Sequence, residues 1–167
     1  MQQKKPVPTR TILSNSRARY DFELSDHITA GIVLEGSEAR SIRDGNVSIG
    51  EAYCFINNGE MFVRGMRIEP YEQAVIDHRH NPDRDKKLLL RVREIRRIAD
   101  KMKGTGLTIV PTELIRAGRN FKLKIAMAKG KKKWDKRQDE KAKDAKKEMK
   151  EIKNIKNYER GIVNTTA

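Results

Sequence analysis

The chain has 167 residues, with 37 Lys and Arg against 23 Asp and Glu, giving a formal net charge of +14. That length favours one domain with an appendage, and that charge favours a polyanionic partner, nucleic acid before an anionic membrane. A single cysteine, Cys54, excludes an intrachain disulfide and a cysteine-rich zinc site, and no apolar run approaches the length of a membrane span.

Residues 1–11 are polar, contain Pro6 and Pro8, and read as a flexible leader; their basic residues have no apolar stretch behind them, so they do not read as a signal peptide. Residues 12–13 and 20–24 read as strand, the latter from the alternation Tyr20, Phe22, Leu24. Residues 29–34 form a β-branched run. A short helix is expected over 37–43, with Ser37 as N-cap and Gly45 as its stop. Residues 51–56 and 60–68 read as a hairpin, because Asn57-Asn58-Gly59 supplies the positive-φ residues of a tight turn. Residues 72–84 read as a polar loop. Its His78 and His80 flank Arg79, a poor neighbour for a dication, and His27 stands alone, so no metal site is expected.

The strongest helical signal covers 85–103, where Leu88, Val92, Ile95, Ala99 and Met102 fall on one face. In that frame Leu90 points roughly opposite Leu88, and Leu89 to the side. Residues 107–115 and 120–127 read as two more strands around Ala117-Gly118-Arg119. About six short strands with mostly non-helical connections predict a mainly β fold, a closed antiparallel barrel with flanking helices, since closure removes exposed edges. The last strand places Lys122 and Lys124 on the face opposite Phe121, Leu123 and Ile125, a candidate RNA surface. No nucleophile elbow, P-loop or dinucleotide fingerprint occurs, so neither an enzyme nor a cofactor is expected.

Gly130 marks a change of regime. Residues 12–129 carry the apolar patterning of a body, whereas 130–167 hold 13 Lys and Arg against 7 Asp and Glu. The positions Ala142, Ala145, Met149, Ile152 and Ile155 are helically spaced but bury little, so the tail is expected to be disordered alone and helical when bound. Trp134 with Lys131, Lys132, Lys133, Lys136 and Arg137 presents one ring and five cations in seven residues, suited to stacking and phosphate contact.

Four dispersed strings carry a resemblance: Asn15 with Arg17-Ala18-Arg19-Tyr20-Asp21-Phe22; the run from Ala30-Gly31-Ile32-Val33 to Arg43; Lys87-Leu88-Leu89-Leu90; and Ala128-Lys129-Gly130 through Trp134-Asp135-Lys136-Arg137. In this order they resemble the bacterial tmRNA-binding proteins of the small protein B (SsrA-binding) family. The resemblance implies an OB-like barrel that acts without catalysis in trans-translation, the rescue of stalled ribosomes. The body would bind the tRNA-like part of tmRNA while the tail enters the empty mRNA channel, in the cytoplasm and as a monomer. It further implies an RNA surface of Asn15, Arg17, Leu89, Lys122 and Lys124. The ribosome-engaging segment would be Gly130, Lys131, Lys132, Lys133, Trp134, Asp135, Lys136 and Arg137, near ribosomal RNA of the decoding site. Two departures stand out: Thr29 where the family usually has Glu, and Trp134 where it more often has Tyr or His. The alternative reading is a ribosomal or generic RNA-binding OB-fold protein.

Overall fold

The structure is a computed structural model in which residues 8–71, 81–132 and 149–152 are described. The chain divides into two compact units, Met1–Gly130 and Lys131–Ala167. Within the first unit the elements run β1 (Thr9–Ser14), α1 (Ser16–Asp21), β2 (Phe22–Ile32), α2 (Gly36–Asp44), β3 (Val47–Ser48), β4 (Tyr53–Asn57), β5 (Glu60–Arg64), β6 (Arg67–Ile68), β7 (Lys86–Leu89), α3 (Val92–Met102), β8 (Thr108–Ala117) and β9 (Asn120–Gly130).

Six of these strands form an antiparallel ring in the order β8-β4-β5-β7-β2-β9, closed by the β8–β9 pairing. The two hairpins set its register. Asn58 and Gly59 hold φ of 49° and 76°, the left-handed pair that a two-residue turn needs, and Asn57 then faces Glu60. Gly118, at φ 62°, lets Ala117 face Asn120, and counting back pairs Ile115 with Lys122 and Glu113 with Lys124. Inward positions fill the ring with Ile42, Met61, Val63, Leu88, Ile109, Leu114, Leu123 and Ile125. Cys54 is part of this core, where burial pushes its thiol pKa up.

The expected leader ends earlier than residue 11. Thr9, Arg10 and Thr11 pair with Ala117, Arg116 and Ile115, because β8 has a free edge beyond its single pairing with β4 at Ile109. Polar side chains do not disqualify an edge strand, and Pro8 sits just outside it. At the other end Gly130 belongs to β9, paired with Phe22, so the body extends one residue past the expected boundary. Tyr20 lies in α1 rather than in a strand. β2 is one long strand from Phe22, and the register shift between Ser25 and Ile28 takes up Asp26 at φ 47°. The helix cap before α2 is Glu35, whose backbone N–H donates to Glu38 Oε2 at 2.8 Å, and Gly45 at φ 89° ends that helix as expected.

The largest correction concerns 85–103. Lys86–Leu89 is strand β7, inserted between β5 and β2, and the helix begins only at Val92. The helical spacing of Leu88 was coincidental: the buried side of α3 is Ile95 and Ile98, with Met102 beside them, while Val92 is exposed. Period two replaces period 3.6, so Leu88 points inward at 2% exposed and Leu89 outward at 56%. Leu90 packs partly against the core instead of opposite it. Leu88→Ala is therefore expected to cost about 2–5 kcal/mol by denaturant unfolding. Leu89→Ala should lie within about 0.5 kcal/mol of the parent. Equal losses would contradict the strand register.

In the second unit residues 149–152 are helical, and Met149 and Ile152 are exposed. The expected tail positions Ala142, Ala145 and Ile155, and His78, Arg79 and His80 of the 72–84 loop, lie outside the described residues.

Candidate nucleic-acid interface

The outer surface of β7, β2, β9 and β8 is built in rows by strand register. One row is Leu89, Gly31, Lys122 and Ile115, from the pairs Gly31–Leu89, Gly31–Lys122 and Ile115–Lys122. Gly31 is the low point of that row. A Cβ added there would come within 3.2 Å of Leu89 Cβ, so its absence lets the exposed leucine lie over β2. Leu89 is exposed, Gly31 and Lys122 are half-buried, and Ile115 at the end of the row is buried.

The next row is Thr29, Lys124, Glu113 and Ser14. Lys124 is not a free cation. Its Nζ donates to Glu113 Oε2 at 2.8 Å, while the other carboxylate oxygen accepts from Arg19 Nη2 at 2.6 Å. Glu113 thus clasps a strand lysine and a helix arginine together. The Lys124 ammonium, with Arg19 behind it, holds the Glu113 carboxyl below its ordinary value of 4.5. A depressed carboxyl pKa means that the clasp is complete above pH 4.5 and is lost as the pH falls through the lowered value.

Arg17 projects from α1 with its Nη1 donating to Glu51 at 2.7 Å, and it borders a cavity of about 320 Å3 shared with Tyr53, Phe22 and Val110. Asn15 is placed unlike the other four body residues singled out from the sequence. Its side chain is buried at 3%, with Nδ2 donating to the carbonyls of Ile49 at 2.8 Å and Pro111 at 3.0 Å, and Oδ1 accepting from Ala18 N at 2.9 Å. Every polar atom of that amide is committed, so Asn15 holds the start of α1 and does not present itself to a ligand. It places Arg17 and Arg19, two and four residues on.

Four of the five body residues singled out from the sequence are therefore exposed or partly exposed side chains: Arg17, Leu89, Lys122 and Lys124. Leu89, Lys122 and Lys124 share one outer sheet surface. Arg17 lies on α1, which connects to that surface through Arg19 and Glu113. Arg19 and Glu113, which join this arrangement, were not singled out from the sequence. Glu113 could have been found by counting back from the Gly118 turn, but the reach of Arg19 across 94 residues of sequence has no local signal. Of the tail segment, Gly130 ends β9, Lys131 is half-buried and Lys132 exposed; Lys133, Trp134, Asp135, Lys136 and Arg137 lie outside the described residues.

Comparison with known proteins adds to this geometry. The family model described as SmpB protein matches residues 12–156. The SsrA-binding protein of Acetivibrio thermocellus is 43% identical over 136 residues, covering 81% of this chain and 88% of that protein. The SsrA-binding protein of Staphylococcus saprophyticus is 42% identical over 133 residues, covering 80% and 86%. A solved structure described as "tmRNA-SmpB: a journey to the center of the bacterial ribosome" superposes with a TM-score of 0.61 at 36% identity, over 72% of this chain and 85% of that one. The OB-like ring, its outer basic row and the basic C-terminal segment as far as residue 156 lie within the matched region, and the chain belongs to the SmpB family.

Proposed function

We propose that this chain is a non-catalytic adaptor that binds the tRNA-like part of tmRNA and delivers it to stalled ribosomes for trans-translation. The observation that carries the reading is family membership over 12–156, which takes in both the ring and most of the basic tail. The body supplies the RNA-docking surface: Leu89 over Gly31 offers an apolar contact, Lys122 and the clasped pair Lys124–Arg19 offer cations, and Arg17 extends the surface along α1. Asn15 acts as a positioning residue beneath it. The tail, from Lys131 through Trp134 to Arg137 and beyond, enters the empty mRNA channel and folds there as a helix, the ribosome supplying the contacts that offset its ordering entropy. No helix among the described residues is long and apolar enough to cross a membrane. A ribosome-associated adaptor of this kind acts in the cytoplasm, as a monomer.

Binding through cations on a sheet surface releases counterions, so affinity for the tRNA-like domain should fall steeply between low and physiological salt. Lys122→Ala and Lys124→Ala should each lower the logarithmic salt slope by about one, with folding intact. Lys124→Ala should be the more damaging of the two, because it leaves the Glu113 carboxylate facing phosphate with Arg19 as its one remaining partner. Unfolding of either variant with unchanged binding per folded molecule would make these lysines structural. Competition with ordinary tRNA tests the alternative, a generic RNA-binding OB protein: the adaptor discriminates in favour of tmRNA, and the generic binder does not.

A further inference from the structure

We infer that the outer side of α3 is a second docking surface, on which Arg93, Arg96 and Arg97 contact the phosphate backbone of the tRNA-like part of tmRNA; this rests on the function proposed above. The segment 91–103 holds six Lys and Arg against Glu94 and Asp100. Arg93, Arg96 and Arg97 are all exposed and stand at i, i+3 and i+4, within an arc of about 100° directly away from the buried Ile95 and Ile98. The two acids do little for them. Glu94 accepts from the backbone N–H of Arg91 at 2.7 Å, capping the helix, and Asp100, which shares the outer side, is engaged by Lys103 at 2.9 Å. No hydrogen bond or ion pair among the described residues holds Arg93 or Arg96. Arg97 lies near Asp26, whose carboxyl it helps to hold down after Lys101.

This arrangement works against the helix that carries it. Like charges at i,i+4 weaken a helix, and Arg93 lies in the first turn, at the positive end of the macrodipole. Nothing in the core needs these side chains. An anionic partner removes both penalties, and guanidinium groups suit phosphate because their forked donors bind it bidentately. The choice of tmRNA follows from continuity. Leu89 is exposed on the outer row, Leu90 and Arg91 lead directly into α3, and the exposed Val92 joins the leucine to the arginine stripe. An RNA seated on Leu89 and Lys122 that continues past the end of β7 meets this helix.

The test uses the full chain and a transcript of the tRNA-like domain. Arg93, Arg96 and Arg97 are changed together to Gln, a good helix former, and a charge-matched control changes the exposed Arg10, Arg40 and Arg43 to Gln. Affinity is measured across a salt series, and helicity by circular dichroism. The α3 triple should lose about two to three units of salt slope and at least about tenfold in affinity beyond the control, with helicity retained. Changing the same three residues to Lys should restore most of the slope, which a packing defect would not allow. An α3 triple that binds no more weakly than the control overturns the inference. Wild-type binding that is insensitive to salt, or shared equally with tRNA, would instead overturn the function on which it rests.

Discussion

Removing residues 131–167 is expected to leave tmRNA binding within about threefold of the full chain at physiological salt, while reducing peptide tagging on stalled ribosomes to background. Every strand of the ring lies in Met1–Gly130, and β9 remains paired to its last residue, Gly130 with Phe22. The cut must therefore fall after Gly130, since truncation at residue 129 would remove a sheet pair. Among the described residues of the tail, Met149 and Ile152 are 65% and 53% exposed. Stability of the truncated body should stay within about 0.5 kcal/mol of the parent. Changing Trp134, Asp135, Lys136 and Arg137 together to Ala should reproduce the loss of tagging, because a ring among cations is suited to stacking and phosphate contact in an RNA channel. A control replacing Lys143, Lys146 and Lys147 with Gln separates this from diffuse charge. Under a purely electrostatic tail the control and the quadruple variant would lose tagging in proportion to charge, and Trp134 would be irrelevant. Tagging by the truncated protein would refute the division of labour.

Glu38→Ala is expected to destabilise the body by about 3–5 kcal/mol, because it breaks a buried ion cluster from one side. Glu38 is fully buried, although it sits on a nine-residue helix of mostly polar sequence. Its carboxylate accepts from Arg84 Nε at 2.9 Å and from Arg84 Nη2, and the ammonium of Lys86 stands 4.0 Å away. Lys86 is itself 0% exposed, donating to the carbonyls of Met66 at 2.6 Å and Pro82 at 2.8 Å. The cluster fastens α2 to the start of β7, and so fixes the strand that carries Leu89. Removing the carboxylate leaves the buried Lys86 ammonium without its nearest counter-ion and the Arg84 guanidinium with Glu35 alone, at 3.3 Å. Burial already pushes the Lys86 pKa down from 10.5, and Glu38 is the main influence opposing that shift. A lysine depressed in the folded state binds fewer protons than it does unfolded, so stability rises with pH through the window below 10.5. The deficit of the Glu38 variant should therefore shrink toward alkaline pH. Lys86→Met, which keeps the apolar stem and removes the charge, should cost less, about 1–3 kcal/mol from the carbonyls it leaves under-satisfied. Urea unfolding of the three proteins at pH 7 and pH 9.5 gives the comparison; a Glu38 variant as stable as the parent would show that the ion cluster contributes nothing.

The sequence by itself determined the β-rich class, the hairpin at Asn58-Gly59, the two strands around Gly118, the stop of α2 at Gly45 and the change of regime at Gly130. These rest on local chemistry: positive-φ turn residues, period-two alternation, and the loss of apolar residues beyond one point in the chain. Alternation also set Lys122 and Lys124 on the face opposite Phe121, Leu123 and Ile125. What the sequence could not decide was whether 86–89 is strand or helix. Leu88 fits either period, and only the gap between β5 and β2 settles the choice, because two open strand edges must be paired and a helix turn cannot pair them. The same reason explains Thr9–Thr11, polar residues recruited by the free edge of β8. Asn15 was singled out through family resemblance alone, and nothing local marks its burial; its amide is enclosed by Ile49 and Pro111, which lie 34 and 96 residues away in sequence. Tertiary structure alone brought Arg19 to Glu113, and Lys86 and Arg84 to Glu38. Charged side chains find their partners across the fold, and residue type gives no indication of which distant element will supply the counter-charge.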